Sequence, residues 1–205
     1  MVKNAIETKV MILKVALGLF MEKGYRDTSY QDLIKKTGLS KGAIYHHFKS
    51  KEDILSSVIE YMAEAANQAV EFKPEGLVKD AKSFIKLYTD IKRAQIKGAK
   101  EFMGAKKLKF NKFLFFFEAV NENTKLRTIS VALLKQEIKF LENCFLCLKK
   151  ANKLPKGKDP SLLAESLYYM LEGAGVLLLL FENSEKEEDW VNLYKKTMED
   201  FFKII

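Results

Sequence analysis

Residues that interrupt helices are scarce in this sequence. Only three prolines and ten glycines occur among 205 residues, which is too few for a β protein whose strands are joined by many tight turns. Apolar residues instead recur at helical spacing along almost the whole chain. We therefore expect an all-α fold of about nine helices without strands.

Cysteines and long apolar runs are scarce as well. Cys144 and Cys147 are the only cysteines, and two cannot form a disulfide framework or a four-ligand zinc site. The longest apolar run, residues 173–181, has about half the length that spans a bilayer. The N-terminus also lacks the pattern of a signal peptide. These absences predict a soluble, cytoplasmic protein without a membrane partner.

The residue patterns of common catalytic sites are missing too. We find no Ser–His–Asp order, no recognisable pair of catalytic carboxylates, no phosphate-binding loop and no cluster of metal ligands. The Cys144-x-x-Cys147 spacing occurs in redox proteins, but the apolar neighbours Phe145 and Leu148 favour buried, unreactive thiols. We expect no enzyme activity, no metal and no cofactor.

Positive charge is concentrated in the first quarter of the chain. The net charge is +8, and residues 1–51 hold ten basic against four acidic residues. This asymmetry favours a first segment that binds a polyanion, followed by a nearly neutral remainder. A lysine-rich, solvated helical surface would give the same charge, so the charge alone does not decide for nucleic acid.

Helix start and stop signals are dense before residue 51. Gly24 and Gly38 suit left-handed helix ends, and capping residues recur between them. The predicted helix starts are Asn4 with Glu7, Thr28 with Gln31, Ser40, and Ser50 with Asp53. Short helices joined by a turn of three or four residues that contains a glycine are typical of a helix-turn-helix.

The rest of the chain reads as longer helices. One is predicted to follow Pro74 and to end at Gly98, and a long one covers the run that begins "TKLRTISVALL". Asp159 and Pro160 form an N-cap followed by proline at the first helical position. Ser184 with Glu187 predicts the start of the last helix.

The short helix after Gly38 has the residues that a DNA-reading helix needs. In a helix-turn-helix the second helix enters the major groove while neighbouring donors hold the phosphate backbone. The first residues of this short helix would point into the groove, and hydrogen-bond donors one turn later would contact phosphates. The N-termini of two neighbouring helices would also favour phosphates. The candidate DNA-binding residues are Thr28, Ser40, Lys41, Gly42, Tyr45, His46, His47 and Lys51.

The stretch "LFMEKGYRDTSYQDLIKKTGLSKGAIYHHFKSKEDIL" (residues 19–55) resembles the DNA-binding domain of the tetracycline-repressor (TetR) family of transcriptional regulators. The resemblance covers about the first fifty-five residues and implies backbone contacts by Tyr45, His46, His47 and Lys51. It further implies a DNA-binding domain at residues 1–51, and a helical domain for ligand binding and dimerisation at residues 52–205.

The remaining three quarters of the chain therefore have two expected tasks. The last two helices are apolar over wide faces, and Gly173, Ala174 and Gly175 permit close approach, so we expect a homodimer through these helices. An apolar or aromatic effector is expected among the central helices, although aromatic residues at this spacing also form ordinary cores. Candidate ligand-binding residues are Phe84, Tyr88, Phe102, Met103, Phe110, Phe113, Phe117, Cys144, Tyr168 and Glu172.

Two alternatives stay open from the sequence. One concerns Glu172 and Glu118: the favoured interpretation of each carboxylate is a salt bridge with a lysine, and the alternative is that it lines the pocket and binds a cationic effector. The chain could also keep this fold as a protein-interaction module without specific DNA binding, although the basic and aromatic residues from Lys41 to Lys51 argue against that. The favoured function is a ligand-responsive repressor that binds a palindromic operator.

Overall fold

The computed structural model describes residues 2–70, 73–103, 120–121, 124–178 and 187–205. Within these ranges the backbone forms eight helices and no strand, which confirms the all-α prediction. The helices are α1 (Val2–Lys23), α2 (Tyr30–Thr37), α3 (Lys41–His47), α4 (Lys51–Val70), α5 (Ala81–Met103), α6 (Thr124–Lys150), α7 (Pro160–Leu177) and α8 (Glu187–Ile204).

The described residues form two compact units. The first comprises those within Met1–Glu64 and Ala99–Ser130, and the second those within Ala65–Gly98 and Val131–Ile205. Helices α1 to α3 belong to the first unit, and α7 and α8 belong to the second.

Short side chains fix the helix starts of the first unit. Ser29 caps α2, because its hydroxyl accepts from the Asp32 backbone N–H while the Asp32 carboxylate accepts from the Ser29 N–H. The predicted capping box at Thr28 and Gln31 is therefore wrong by one residue. Ser40 caps α3 as predicted, and the Ser50 hydroxyl accepts from the Asp53 N–H at the start of α4.

Two further boundary predictions are wrong. Asn4 lies inside α1, which begins at Val2. Gly98 lies inside α5, which continues to Met103, because one exposed glycine costs a helix only about 1 kcal/mol relative to alanine. Asp159 does cap α7, with Pro160 at its first position. The predicted cap at Ser184 lies outside the described residues.

The core of the first unit anchors the helix-turn-helix. Leu17 and Phe20 of α1, Leu33 of α2, and Ile44 and Phe48 at α3 are almost completely buried. Each such side chain contributes about 1.5–3 kcal/mol to folding through removal of apolar surface from water. Since Ile44 and Phe48 are four residues apart, they anchor one side of α3 and leave its opposite side exposed.

The core of the second unit is rich in aromatic rings. Phe84 of α5 lies edge-on to Phe145 of α6 and Phe202 of α8, with ring centroids 5.2 and 5.7 Å apart. Such edge-to-face pairs add about 0.5–1.5 kcal/mol beyond the burial of area. Leu167 of α7 belongs to the same buried cluster.

Candidate nucleic-acid interface

The turn between α2 and α3 is held by local hydrogen bonds. Gly38 has φ 71°, and its N–H donates to the Ile34 carbonyl at 2.9 Å. The left-handed conformation at this helix end favours glycine, since a side chain there would strain the backbone. The Thr37 hydroxyl donates to the Leu33 carbonyl and accepts from the Leu39 N–H. The turn therefore fixes the direction in which α3 leaves α2.

Four residues of α3 are exposed, namely Lys41, Gly42, Tyr45 and His46. We call these four residues the α3 face. A Cβ atom built on Gly42 would have only the Ser40 hydroxyl oxygen near it, 4.0 Å away. The α3 face thus presents a cation, a phenol and an imidazole around a position that carries no side chain.

Tyr45 is held in place by stacking. Its ring lies on that of Tyr30 in α2, with centroids 4.8 Å apart and planes 11° from parallel. The Lys41 ammonium lies 5.7 Å from the centroid of the Tyr45 ring. Burial and the neighbouring Tyr45 hydroxyl raise the pKa of Tyr30 to about 12, so Tyr30 stays neutral near neutral pH.

His46 and His47 have different surroundings, although they are neighbours in sequence. His46 is exposed, whereas His47 is half-buried and lies edge-on to the His46 ring at 5.3 Å. Burial lowers the pKa of His47, and the charges of His46 and Lys9 lower it further. His47 is therefore a neutral imidazole near neutral pH, and α1 contributes a cation, Lys9, beside it.

Lys51 is tied to the loop that precedes α2. Its ammonium donates to the carbonyl oxygens of Tyr25, Arg26 and Thr28 at 2.9, 3.2 and 3.0 Å. It also lies 4.5 Å from the centroid of the Tyr25 ring. These bonds use all three N–H groups of the ammonium, so the phosphate contact predicted for Lys51 would require one of them to break.

Thr28 is buried, with 1% of its surface exposed. Its hydroxyl donates to the Gly24 carbonyl at 2.8 Å, which satisfies an acceptor at the end of α1. The structure therefore does not support the predicted contact between the Thr28 side chain and a phosphate. Ser40, the remaining candidate, uses its hydroxyl to accept the Ala43 N–H at 3.2 Å.

The predicted ligand-binding residues fall into three groups. Phe84 and Cys144 are core residues with no exposed surface, and burial raises the pKa of both the Cys144 and Cys147 thiols, which leaves them protonated. Tyr88 and Tyr168 are buried in the core of the second unit, and Glu172 is half-buried and helps to raise the pKa of both tyrosines through its charge. Phe102 and Met103 lie in α5, but the structure does not describe their side chains. Outside the described residues altogether lie Phe110, Phe113, Phe117 and Glu118.

A partly buried ion pair in the second unit was not predicted from the sequence. The Lys92 ammonium of α5 pairs with the Glu137 carboxylate of α6, which also accepts from the Tyr88 hydroxyl at 2.6 Å. Burial alone would raise the pKa of Glu137, but the charge and hydrogen bonds of Lys92 and the Tyr88 hydroxyl lower it. Two features of the sequence could have indicated this pair. Tyr88 and Lys92 have i, i+4 spacing, and Glu137 occurs in a helix among apolar residues.

No group of three His, Cys, Asp or Glu side chains that could hold a metal occurs in the part of the chain that the structure describes. None of the helices formed by the described residues is long and apolar enough to cross a membrane.

Known proteins resemble the chain at two levels. The family model "Bacterial regulatory proteins, tetR family" matches residues 12–58. An uncharacterized HTH-type transcriptional regulator of Bacillus subtilis, YerO, is 47% identical over 55 residues, which are 27% of this chain and 19% of that protein. The HTH-type transcriptional regulator AcrR of Shigella flexneri is 45% identical over 58 residues, 28% of this chain and 27% of its own length.

The likeness of fold extends over the whole chain. A crystal structure described as a putative TetR-family transcriptional regulator from Mesorhizobium loti has a TM-score of 0.71 and covers 98% of this chain and 97% of its own, at 18% identity. Residues 12–58 thus match the DNA-binding domain of TetR-family transcriptional regulators, and the described structure shares the fold of such a regulator. The sequence relatives are matched over only about a fifth to a quarter of their length.

Proposed function

We propose that the chain represses transcription by binding a palindromic operator as a homodimer, and that a small-molecule effector releases it. The observation that carries this proposal is the α3 face. Lys41, Tyr45 and His46 are exposed on α3, whose Ile44 is buried. A helix that is anchored on one side and presents cationic and hydrogen-bonding groups on the other suits the major groove.

In this proposal each residue of the face has its own task. Lys41 and Gly42, at the start of α3, approach the base edges, and Tyr45, His46 and His47 donate to phosphates. Lys51 acts through the loop to which it is bound, since its ammonium is already occupied by three carbonyl oxygens. DNA binding is assigned to residues 1–51, and ligand binding and dimerisation to residues 52–205.

The dimer is proposed to form through α7 and α8. Large apolar side chains of α7 are exposed at helical spacing, with Gly173 between them at a point where an added Cβ would meet nothing within 4 Å. Contiguous exposed apolar surface of this kind marks an interface. The exposed apolar residues of α7 are Leu162, Tyr169, Met170 and Leu177.

Release is proposed to depend on α4, the helix that follows the DNA-binding segment. An effector that binds the residues of the second unit would shift α4 and change the separation of the two α3 helices in the dimer. The effector need only favour the DNA-free state by on the order of 1–3 kcal/mol.

Capture of genomic fragments on the purified protein, followed by sequencing, tests this function. The matched control is a Lys41→Ala/Tyr45→Ala variant, since both residues are exposed and their removal leaves the buried anchor of α3 intact. Enrichment of a palindrome by the wild type and not by the variant supports the proposal. No enrichment by a folded, ligand-free wild-type dimer contradicts it and favours a protein-interaction module.

A further inference from the structure

Three basic side chains of the first unit lie together where α1 meets the end of α3. The Lys9 ammonium of α1 lies 5.6 Å from the centroid of the Phe48 ring, and the His47 ring lies 6.5 Å from that same ring. His47 in turn lies edge-on to His46, with centroids 5.3 Å apart. We call Lys9, His46 and His47 the Lys9 cluster.

The Lys9 cluster brings positive groups together without a carboxylate to balance them. The two charges that act on His47 are those of His46 in α3 and Lys9 in α1. Among the described residues, no carboxylate forms a salt bridge or a hydrogen bond with any of the three side chains. At the other end of α1, by contrast, Lys23 pairs with Asp32. Basic groups that repel one another and lack a counter-ion are stabilised by an anion.

The cluster continues the α3 face onto α1. His46 belongs to both, and His46 and Lys9 are exposed. The Phe48 ring near the Lys9 ammonium is almost completely buried, so this ammonium lies at the surface over the core that anchors α3. Phosphates border the major groove on both sides. A cation beyond the end of the recognition helix is therefore placed for the DNA backbone and not for base edges.

We propose that Lys9 is a further DNA-binding residue, and that the Lys9 cluster holds a phosphate of the DNA backbone while His47 takes up a proton from solvent. This inference rests on the DNA binding of the proposed function, to which it adds a contact from α1 and a dependence on pH. The phosphate charge offsets the repulsion that keeps the His47 imidazole neutral in the free protein. A protonated imidazole donates through both ring nitrogens, whereas the neutral ring donates through one.

Proton uptake fixes the direction of the pH dependence. In the free protein, burial and the charges of His46 and Lys9 hold the pKa of His47 below its usual value near 6.5, and a bound phosphate raises that pKa. Between the two pKa values the complex binds a proton that the free protein does not bind. The affinity for DNA therefore rises as the pH falls, by at most about tenfold per pH unit for this one proton.

A salt titration of DNA binding tests the contact from α1. Phosphate contacts do not depend on sequence, so the probe is a fluorescein-labelled duplex of mixed sequence and about 30 base pairs, followed by fluorescence anisotropy. Lys9→Ala should bind more weakly and lower the slope of log affinity against log salt by about one, and Lys9→Arg should restore both. The matched control is Lys14→Ala, which removes a second exposed lysine of α1 and should bind like the wild type.

A pH titration at constant ionic strength tests the role of His47. Affinity for the same duplex is measured from about pH 7.5 to about pH 6, the range in which histidine titrates. Wild-type affinity should rise as the pH falls. His47→Gln keeps a hydrogen-bond donor but cannot take up a proton, so its affinity should rise less. Circular dichroism at each pH checks that both proteins are folded.

The proposal is overturned if the wild type does not bind the duplex, if Lys9→Ala keeps the wild-type affinity and salt slope, or if Lys14→Ala has the same effect as Lys9→Ala. Coinciding pH profiles of the wild type and His47→Gln overturn it too. If Lys9→Ala does not fold, Lys9→Gln takes its place.

The duplex contains no operator, which separates this inference from the operator proposal. Duplex binding that depends on Lys9, without enrichment of a genomic palindrome, supports the inference and contradicts the operator proposal. An enriched palindrome to which Lys9→Ala binds as the wild type does contradicts the inference alone.

Discussion

The ring of Tyr45 lies on that of Tyr30, 4.8 Å away and within 11° of parallel. Tyr30 belongs to α2 and Tyr45 to α3, so one stacked pair joins the two helices of the helix-turn-helix at the edge of its exposed face. A side chain that DNA would meet is thereby held in one orientation before DNA arrives, which lowers the entropy lost on binding.

This pair predicts a difference between two substitutions of Tyr30. Tyr30→Leu should weaken operator binding by removing the support of the Tyr45 ring, and should lower the free energy of unfolding by about 0.5–1.5 kcal/mol. Tyr30→Phe keeps the ring and should bind as the wild type does. Fluorescence anisotropy on operator DNA checks affinity, and urea unfolding checks stability. Equal affinity of the two variants would show that the stacking has no part in DNA binding.

Lys51 should act mainly on stability. Lys51→Met removes a charged donor from the carbonyls of Tyr25, Arg26 and Thr28, and should lower the free energy of unfolding by about 1.5–3 kcal/mol. The control is Lys41→Met, since Lys41 is an exposed lysine and should change stability by less than about 0.5 kcal/mol. Urea unfolding measures both. If Lys51→Met is as stable as Lys41→Met, the three carbonyl contacts contribute nothing to folding.

Protonation of His47 should lower the free energy of unfolding as the pH is decreased. Burial and the charges of His46 and Lys9 hold its pKa below the usual value near 6.5, so the unfolded chain binds its proton more readily than the folded one. The contribution of His47 is therefore complete above pH 6.5 and is lost as the pH falls through its lowered folded pKa.

The difference in unfolding free energy between the wild type and His47→Gln, followed from pH 7.5 downward, measures this loss. The wild type should lose more stability than the variant over that range. Lys9→Gln, which removes one of the repelling charges, should make the loss smaller. A constant difference between the wild type and His47→Gln would contradict the assigned environment of His47.

The exposed apolar side chains of α7 predict that a charged residue placed among them prevents dimer formation. Tyr169→Glu places a carboxylate on a side chain that is 60% exposed, and should turn a dimer into a monomer in light scattering after size-exclusion chromatography. The matched control is Val131→Glu, at an exposed apolar residue of α6 that is outside this face. If the wild type is a dimer and Tyr169→Glu remains one, α7 is not the interface.

The sequence was most informative where structure depends on neighbours along the chain. Ser40 and Asp159 were predicted as caps because an N-cap needs only its own hydroxyl or carboxylate and the next helical turn. The N-cap predicted at Thr28 is wrong by one residue. Thr28 and Ser29 are both residue types that cap helices, and the hydrogen bond of the Thr28 hydroxyl to the Gly24 carbonyl distinguishes them only in the structure.

Contacts between distant residues were not predicted. Lys51 meets carbonyls more than twenty residues earlier, and Lys92 meets Glu137 on another helix. Neither partner is marked by spacing, since both contacts form only when segments far apart in the sequence pack together. The α3 face, by contrast, follows from the period of one short helix, and four of the predicted DNA-binding residues, Lys41, Gly42, Tyr45 and His46, are exposed on it together.

The salt dependence of operator binding tests the central claim, DNA contact through the α3 face, most directly. Affinity for a captured operator is measured against salt concentration for the wild type, for Lys41→Ala, and for Lys86→Ala, a surface lysine of the second unit. The account predicts that Lys41→Ala binds more weakly and lowers the slope of log affinity against log salt by about one, while Lys86→Ala matches the wild type. Equal affinity and slope for Lys41→Ala and the wild type would contradict the account.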